Sequence, residues 1–264
     1  MILRSARKLL MGLAPLLGLL AAFPGHCDAG EKVSTGHTQT DSAIVIVQRR
    51  SKKVKTCRAE VATVLNVMDQ QMEIRDSAVF QTPGRMHLVK TLPGDVKQTV
   101  VSDGGILWID DPEEKTVVRI NLSRVYRATG READAYQPDP TRPFRGIRWT
   151  TIRYVREEKL EDLRRLVFEA VPEVTLWHAE LPVAPARVEF SINPRDGLLR
   201  TFTYLDTSGA AIISQVFSEV EVNPTLDPKQ FDFVVPANSH IMDRTDSVVE
   251  LLKAAEARVG RGGE

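Results

Sequence analysis

Cysteine, net charge and long apolar runs are all scarce in this chain, and each scarcity closes off a class of protein. Only two of the 264 residues are cysteine, Cys27 and Cys57, too few for a disulfide framework or a cysteine-rich zinc site. Basic and acidic residues balance at 35 each, so nothing global suggests a nucleic-acid partner. Motifs of chemistry are missing too. There is no Gly-x-Ser-x-Gly elbow, no glycine-rich phosphate loop and no His-Glu-x-x-His. His26, His37, His87, His178 and His240 are scattered without metal-ligand spacing. Asp110, Asp111, Glu113 and Glu114 crowd together but flank Pro112, where a polar turn between strands is expected. The reading is therefore of a protein that is not an enzyme and carries no metal site.

What is present begins with an address. Arg4, Arg7 and Lys8 precede an apolar run over residues 9–23, the charged-then-apolar order of a secretory signal, and the run is short for a membrane span. Cys27-Asp28-Ala29 offers small side chains where signal peptidase needs them, so residues 1–29 read as a cleavable signal peptide. Cys57 is then the only cysteine of the mature chain and reads as a small apolar filler on a strand. The alternative makes Cys27 a lipid-modified N-terminus that tethers the protein to a membrane. Pro24-Gly25-His26 stands against it, because a lipoprotein signal places an aliphatic residue and then two small ones there.

Residues 30–40 are small and polar and read as a mobile leader. Asp41 can cap a helix beginning near Ser42, in which Ala43, Ile44, Val45 and Val47 give way to a basic string of Arg49, Arg50, Lys52, Lys53, Lys55 and Arg58. Positive charge suits a helix C-terminus. A solvated helix end is the plain reading of that string, and docking to an acidic surface or anionic headgroups the functional one.

From Val54 onward apolar residues recur at every second position between turn signals. Val188, Phe190 and Ile192 alternate with Glu189, Ser191 and Asn193, and Asp103-Gly104-Gly105, Asp196-Gly197 and Asp206-Thr207-Ser208-Gly209 supply tight turns. Alternation fails over residues 122–143, where a loop with one or two short helices is expected. Strands resume at Trp149, a last helix is expected over residues 246–258 capped by Thr245 or Asp246, and residues 260–264 form a tail. One domain spans residues 41–259, and its class is an all-β sheet that curls.

Three stretches carry a family resemblance. VVSDGGILWIDDPEEKTVVRINL (residues 100–122) resembles the LolA pattern in which a strand ends in Ser-Asp-Gly, the next carries Leu-Trp, and an acidic-proline turn leads into a third. DPKQFDFVVPANSHIMDRT (residues 227–245) is similar to that family's closing strand, with its Phe-x-Phe pair, proline and final Asp. FSINPRDGLLRTFTYLDTSG (residues 190–209) matches its paired hairpin strands. The likeness follows the element order of the whole mature chain.

The resemblance implies an incomplete, half-open antiparallel β-barrel with helices as a lid over an apolar cavity. It also implies a monomeric periplasmic carrier that takes the acyl chains of lipoproteins from an inner-membrane lipoprotein-releasing transporter and hands them to an outer-membrane acceptor. A tethered acceptor of the same fold, or a periplasmic module that binds a partner protein, are the alternatives. Met86, Leu88, Val101, Trp108, Phe190, Phe202 and Phe217 are the candidate cavity-lining residues, with ordinary core as the rival reading for each. The family's carriers have an arginine immediately before the proline of the second strand, where it bonds the lid. Here Thr82 precedes Pro83, and Arg85 is the candidate substitute. Mass spectrometry of the mature N-terminus checks the address: a chain starting at Gly30 is expected, whereas a diacylglyceryl-modified Cys27 would mark the tethered form.

Overall fold

The structure is a computed structural model and describes residues 34–67, 70–130, 139–160, 163–173, 183 and 185–261. The signal peptide with Cys27, His178 and the last three residues of the tail lie outside them.

The alternating segments form two antiparallel meanders. The first comprises β1 (Thr56–Val67), β2 (Gln70–Gln81), β3 (Arg85–Leu92), β4 (Val96–Ser102), β5 (Ile106–Asp111) and β6 (Thr116–Asn121). The second comprises β7 (Arg153–Leu160), β8 (Leu163–Ala170), β9 (Arg187–Ile192), β10 (Leu199–Leu205) and β11 (Ala211–Val222). Strands β1 and β11 pair antiparallel, with Val61 opposite Phe217 and Leu65 opposite Ile213, and this fuses the meanders. A short β12 (His240–Asp243) then adds to β6 in parallel. Among the described residues the sheet has twelve strands in the order β12-β6-β5-β4-β3-β2-β1-β11-β10-β9-β8-β7. Neither end pairs with the other, so the sheet is open and mainly antiparallel, as expected. Short polar turns set the hairpins. At Asp103-Gly104-Gly105 the Asp103 carboxylate accepts from the Gly105 and Ile106 amides at 2.7 and 2.8 Å, an Asx turn.

Register sorts the side chains onto two faces. One row of the inner face runs Ala59, Ala78, Leu88, Val100, Ile109, Val118 across β1 to β6. Three α-helices among the described residues, α1 (Thr38–Ser51), α2 (Leu122–Thr129) and α3 (Thr245–Arg261), bury apolar side chains in the same core. Ala43, Ile44 and Val47 come from α1, Leu122 and Val125 from α2, and Val248, Val249 and Leu252 from α3.

Helix α1 starts at Thr38, earlier than the polar composition suggests, and its first turn is anchored. Thr40 is buried and its Oγ1 accepts from the Tyr154 amide of β7 at 3.0 Å. Asp41 does not precede the helix. It lies in the first turn and holds the approaching chain, accepting from Thr35 N and Oγ1 at 2.8 Å and from Ser34 Oγ at 2.6 Å. Residues expected in a mobile leader are thus tied to the fold. Helix α2 has the Asn121 carboxamide as its N-cap and Gly130 in the left-handed region at its C-terminus. Helix α3 is capped from further upstream than expected. Asp243 accepts from the Thr245 amide, and Thr245 Oγ1 accepts from the Asn121 amide, each at 2.9 Å, which ties the helix to the end of β6.

The outer face is covered as well. After β11 the chain passes a 3₁₀ turn at Pro228–Phe231, capped by Asp227. Phe231 is buried outside the main core, and Phe233 stacks on Trp108 at 5.4 Å. The Phe-x-Phe pair therefore packs onto a strand face rather than forming the closing strand, which comes later at β12. At the opposite edge, β7 is dressed with ion pairs. Arg164 on β8 makes two bonds to Glu157 at 2.6 and 2.8 Å, and Arg156 bonds Glu158 at 2.7 Å.

The β9–β10 turn touches α1 directly. Gly197 has φ +77°, and a Cβ there would lie 2.5 Å from Ser51 N and 2.6 Å from Val47 O, both backbone atoms. Gly197→Ala should cost about 2–3 kcal/mol through this clash and the positive φ, read as a lower urea midpoint with an unchanged slope.

Candidate functional site

Five of the seven candidate residues meet on the inner face. Met86 and Leu88 come from β3, Phe190 from β9, Phe202 from β10 and Phe217 from β11, all at most 3% exposed and all in the main core. Val101 and Trp108 do not join them. Val101 pairs with His87 and with Trp108, while Leu88 pairs with Val100, so the parity of the ladder turns both onto the outer face. There Val101 is buried and Trp108 stacks on Phe233, with the Arg119 guanidinium 5.8 Å from its ring centroid. Burial also keeps the neighbouring His87 imidazole below its usual pKa, against a backbone hydrogen bond with Gln230 that raises it. Arg85 shares the outer parity and is exposed. It bonds no helix among the described residues.

The second meander contributes an aromatic row. Tyr154, Phe168, Phe190 and Phe202 are paired across β7 to β10, with Phe168 stacked on Phe190 at 5.5 Å and Phe190 on Phe202 at 5.9 Å. Phe144, from the irregular middle segment, meets Phe168 and Phe190 edge-on at 5.5 and 6.0 Å. Such contacts add about 0.5–1.5 kcal/mol each beyond area burial. Phe168 is legible from its phase on β8; Phe144 carries no periodic signal.

The first meander contributes a row of different character. Asp76 on β2 pairs with Lys90 on β3, which pairs with Gln98 on β4. All three point to the inner face, at 0%, 4% and 1% exposure. Lys90 Nζ lies 3.3 Å from Asp76 Oδ2. Asp76 Oδ1 and both amide atoms of Gln98 have no hydrogen-bond partner among the described residues. Burial drives the Asp76 carboxyl above its usual range, and the Lys90 ammonium opposes this without cancelling it. The row also parts the core: Leu88 and Val100 on one side belong to the main cluster, whereas Ile74 and Val96 on the other are buried outside it. Sequence reasoning missed these residues. The signal is there, since Asp76 falls in phase with Ala78 and Phe80, Lys90 with Met86 and Leu88, and Gln98 with Val96 and Val100. A second polar contact lies on the next row, where Gln215 Nε2 donates to Thr63 Oγ1 at 3.1 Å.

Other candidates are plain. Cys57 is fully buried and burial pushes its thiol up to about 12, which leaves it an inert filler. Arg49, Arg50, Lys52, Lys53 and Lys55 are solvated at the end of α1, and Arg58 pairs with Glu221 at 2.7 Å. Among the described residues no group of three or more His, Cys, Asp or Glu could hold a metal ion.

No protein-family model matches the sequence, and no curated protein matches it. Solved structures do. The chain is similar to an uncharacterized conserved protein from Thermus thermophilus, at 15% identity over 77% of this chain and 99% of that one, with a TM-score of 0.54. It is also matched to a putative outer membrane lipoprotein-sorting protein domain from Vibrio parahaemolyticus, at 12% identity, 73% and 97% coverage and a TM-score of 0.40. A LolA superfamily protein from Nitrosomonas europaea matches at 13% identity, 72% and 97% coverage and a TM-score of 0.36. The likeness is one of fold.

The buried ion pair makes a stability prediction. Lys90→Met leaves the Asp76 carboxylate without its counter-ion and should cost about 3–5 kcal/mol, while Asp76→Leu/Lys90→Met, which removes both charges, should recover most of that loss. Chemical denaturation of the two variants at neutral pH reads the difference.

Proposed function

We propose that this protein is an exported, non-enzymatic carrier that holds the acyl chains of a lipoprotein or a related lipid against the inner face of the sheet. The observation that supports it is a single apolar face to which both meanders contribute, with three helices laid over it. Met86, Leu88, Phe190, Phe202 and Phe217 are the acyl-contacting residues of this reading; Val101 and Trp108 are not part of it. An acyl chain in water costs about 0.8 kcal/mol per methylene relative to an apolar site, so a face of this size can offset the extraction of a chain from a membrane. Because the five side chains are closed off from solvent, loading requires the helices to shift. No described helix is long and apolar enough to cross a membrane. In this reading the carrier works in the periplasm as a monomer, loaded by an inner-membrane transporter and emptied by an outer-membrane acceptor, with no covalent step and no cofactor.

Native mass spectrometry of the protein purified from envelope extract, with bound lipids extracted and identified, is the test. One acyl-bearing ligand per chain is expected, lost in Leu88→Arg when circular dichroism shows that variant folded. An empty protein that also takes up no acyl chain from inner-membrane vesicles would falsify the reading, and a copurifying protein in place of lipid would favour a partner-binding role.

A further inference from the structure

The strongest unassigned feature of the molecule is buried. The Asp76, Lys90, Gln98 row places a charge pair and a carboxamide on the inner face, between apolar rows on both sides. A buried amide with neither its donor nor its acceptor satisfied keeps the full desolvation penalty of both groups. Leucine or methionine in its place would avoid that cost. The same phase of β3 and β4 holds Met86, Leu88, Val96 and Val100, with Ser102 at the end of β4 satisfied by the Gly104 amide.

The position is as informative as the chemistry. Leu92 pairs with Val96 at the mouth of the β3–β4 hairpin, and the next inner-face pair inward is Lys90 with Gln98. Two residues of strand separate them, about 7 Å. Beyond lies the all-apolar pair Leu88 and Val100. A chain entering past the hairpin mouth with its tail foremost would have its linkage group beside the polar row when the tail lies along the Leu88 and Met86 rows.

We infer that Asp76, Lys90 and Gln98 form a subsite for the linkage group of an acyl ligand, selecting an uncharged linkage that carries both a hydroxyl or N–H donor and a carbonyl acceptor. The inference rests on the carrier reading above and adds the ligand class to it. Gln98 Nε2 is free to donate to a carbonyl oxygen. Gln98 Oε1 and Asp76 Oδ1 are free to accept from a hydroxyl or amide N–H. Asp76 and Lys90 neutralise each other at 3.3 Å, so the subsite brings no net charge to attract an anionic head, and the free Asp76 oxygen repels one. An acyl glycerol or an N-acyl amide fits this arrangement, and a fatty-acid carboxylate does not.

The test uses the exported protein with a pre-bound anthroyloxy fatty acid, displaced by 1-monopalmitoylglycerol or by palmitate. The wild type is expected to prefer the monoacylglycerol. Gln98→Met removes both unpaired amide atoms, leaves the ion pair intact and keeps the side-chain length. It should weaken monopalmitoylglycerol binding about tenfold, the worth of roughly one lost hydrogen bond, shift palmitate less than about twofold, and leave the thermal midpoint unchanged or raised. Gln98→Leu serves as a second variant and should give the same split. Equal shifts for both lipids, or none for the monoacylglycerol, would overturn the subsite and leave the carrier intact. If the wild type binds neither lipid nor the probe, the carrier reading falls and the subsite with it.

Discussion

Everything in this molecule depends on the pairing of β1 with β11. Each meander by itself is a sheet built from neighbours in sequence, with local hairpins and one apolar face. The β1–β11 ladder joins residues near the start of the fold to residues more than 140 positions later, with Leu65 opposite Ile213 and Cys57 opposite Val222. It is the contact that turns two apolar faces into one. Long-range pairing of this kind has to overcome loop-closure entropy before it is rewarded, and the reward here is burial: Val61 and Phe217 face each other across it, with the aromatic row on one side and the polar row on the other.

A sheet has two faces, and this one covers both by different means. Helices α1, α2 and α3 serve the inner face, while the segment between β11 and β12 returns along the outer face of the first meander. Trp108 stacks on Phe233 there, and Val101 and Phe231 are buried outside the main core. The return path also explains the parallel β12. A chain coming back along the outer face arrives at β6 running in the same direction, and its last residues set α3 in place through Asp243, Thr245 and Asn121. Arg119 reinforces the junction with a 2.6 Å bond to Asp243.

Alternation makes the strands, their hairpins and the interrupted middle legible, and phase within β3, β9, β10 and β11 places Met86, Leu88, Phe190, Phe202 and Phe217 on one face. Phase cannot say which residues of a strand face inward when both faces are apolar. Val100 and Val101 are adjacent and both buried, and only the register with Leu88 and His87 assigns them to opposite sides. Trp108 is misassigned for the same reason. The start of α1 is hidden because Thr35 and Thr40 look like leader residues until their bonds to Asp41 and Tyr154 are seen. The polar row escapes for a different cause. One polar residue in an apolar phase is indistinguishable from ordinary scatter, and only register shows that three of them occupy matched positions on consecutive strands.

The edge strand β7 has a consequence for how the molecule lives among its own copies. An open sheet ends in unpaired amides and carbonyls, and a second chain can in principle lay its own strand against them and continue the ladder. β7 is eight residues long, and although the Tyr154 amide is taken by Thr40 of α1, the rest of the strand is long enough for such templating. Its exposed positions are Arg153, Val155, Arg156, Glu157 and Lys159, charged at all but Val155, and their ion pairs are each individually of little worth to stability. Together they act as gatekeepers: an incoming strand would have to strip water from a dense mixed-charge fringe, and to match its alternation of sign, before the first new hydrogen bond formed. The charges that contribute least to holding this chain together are those a second copy would meet first.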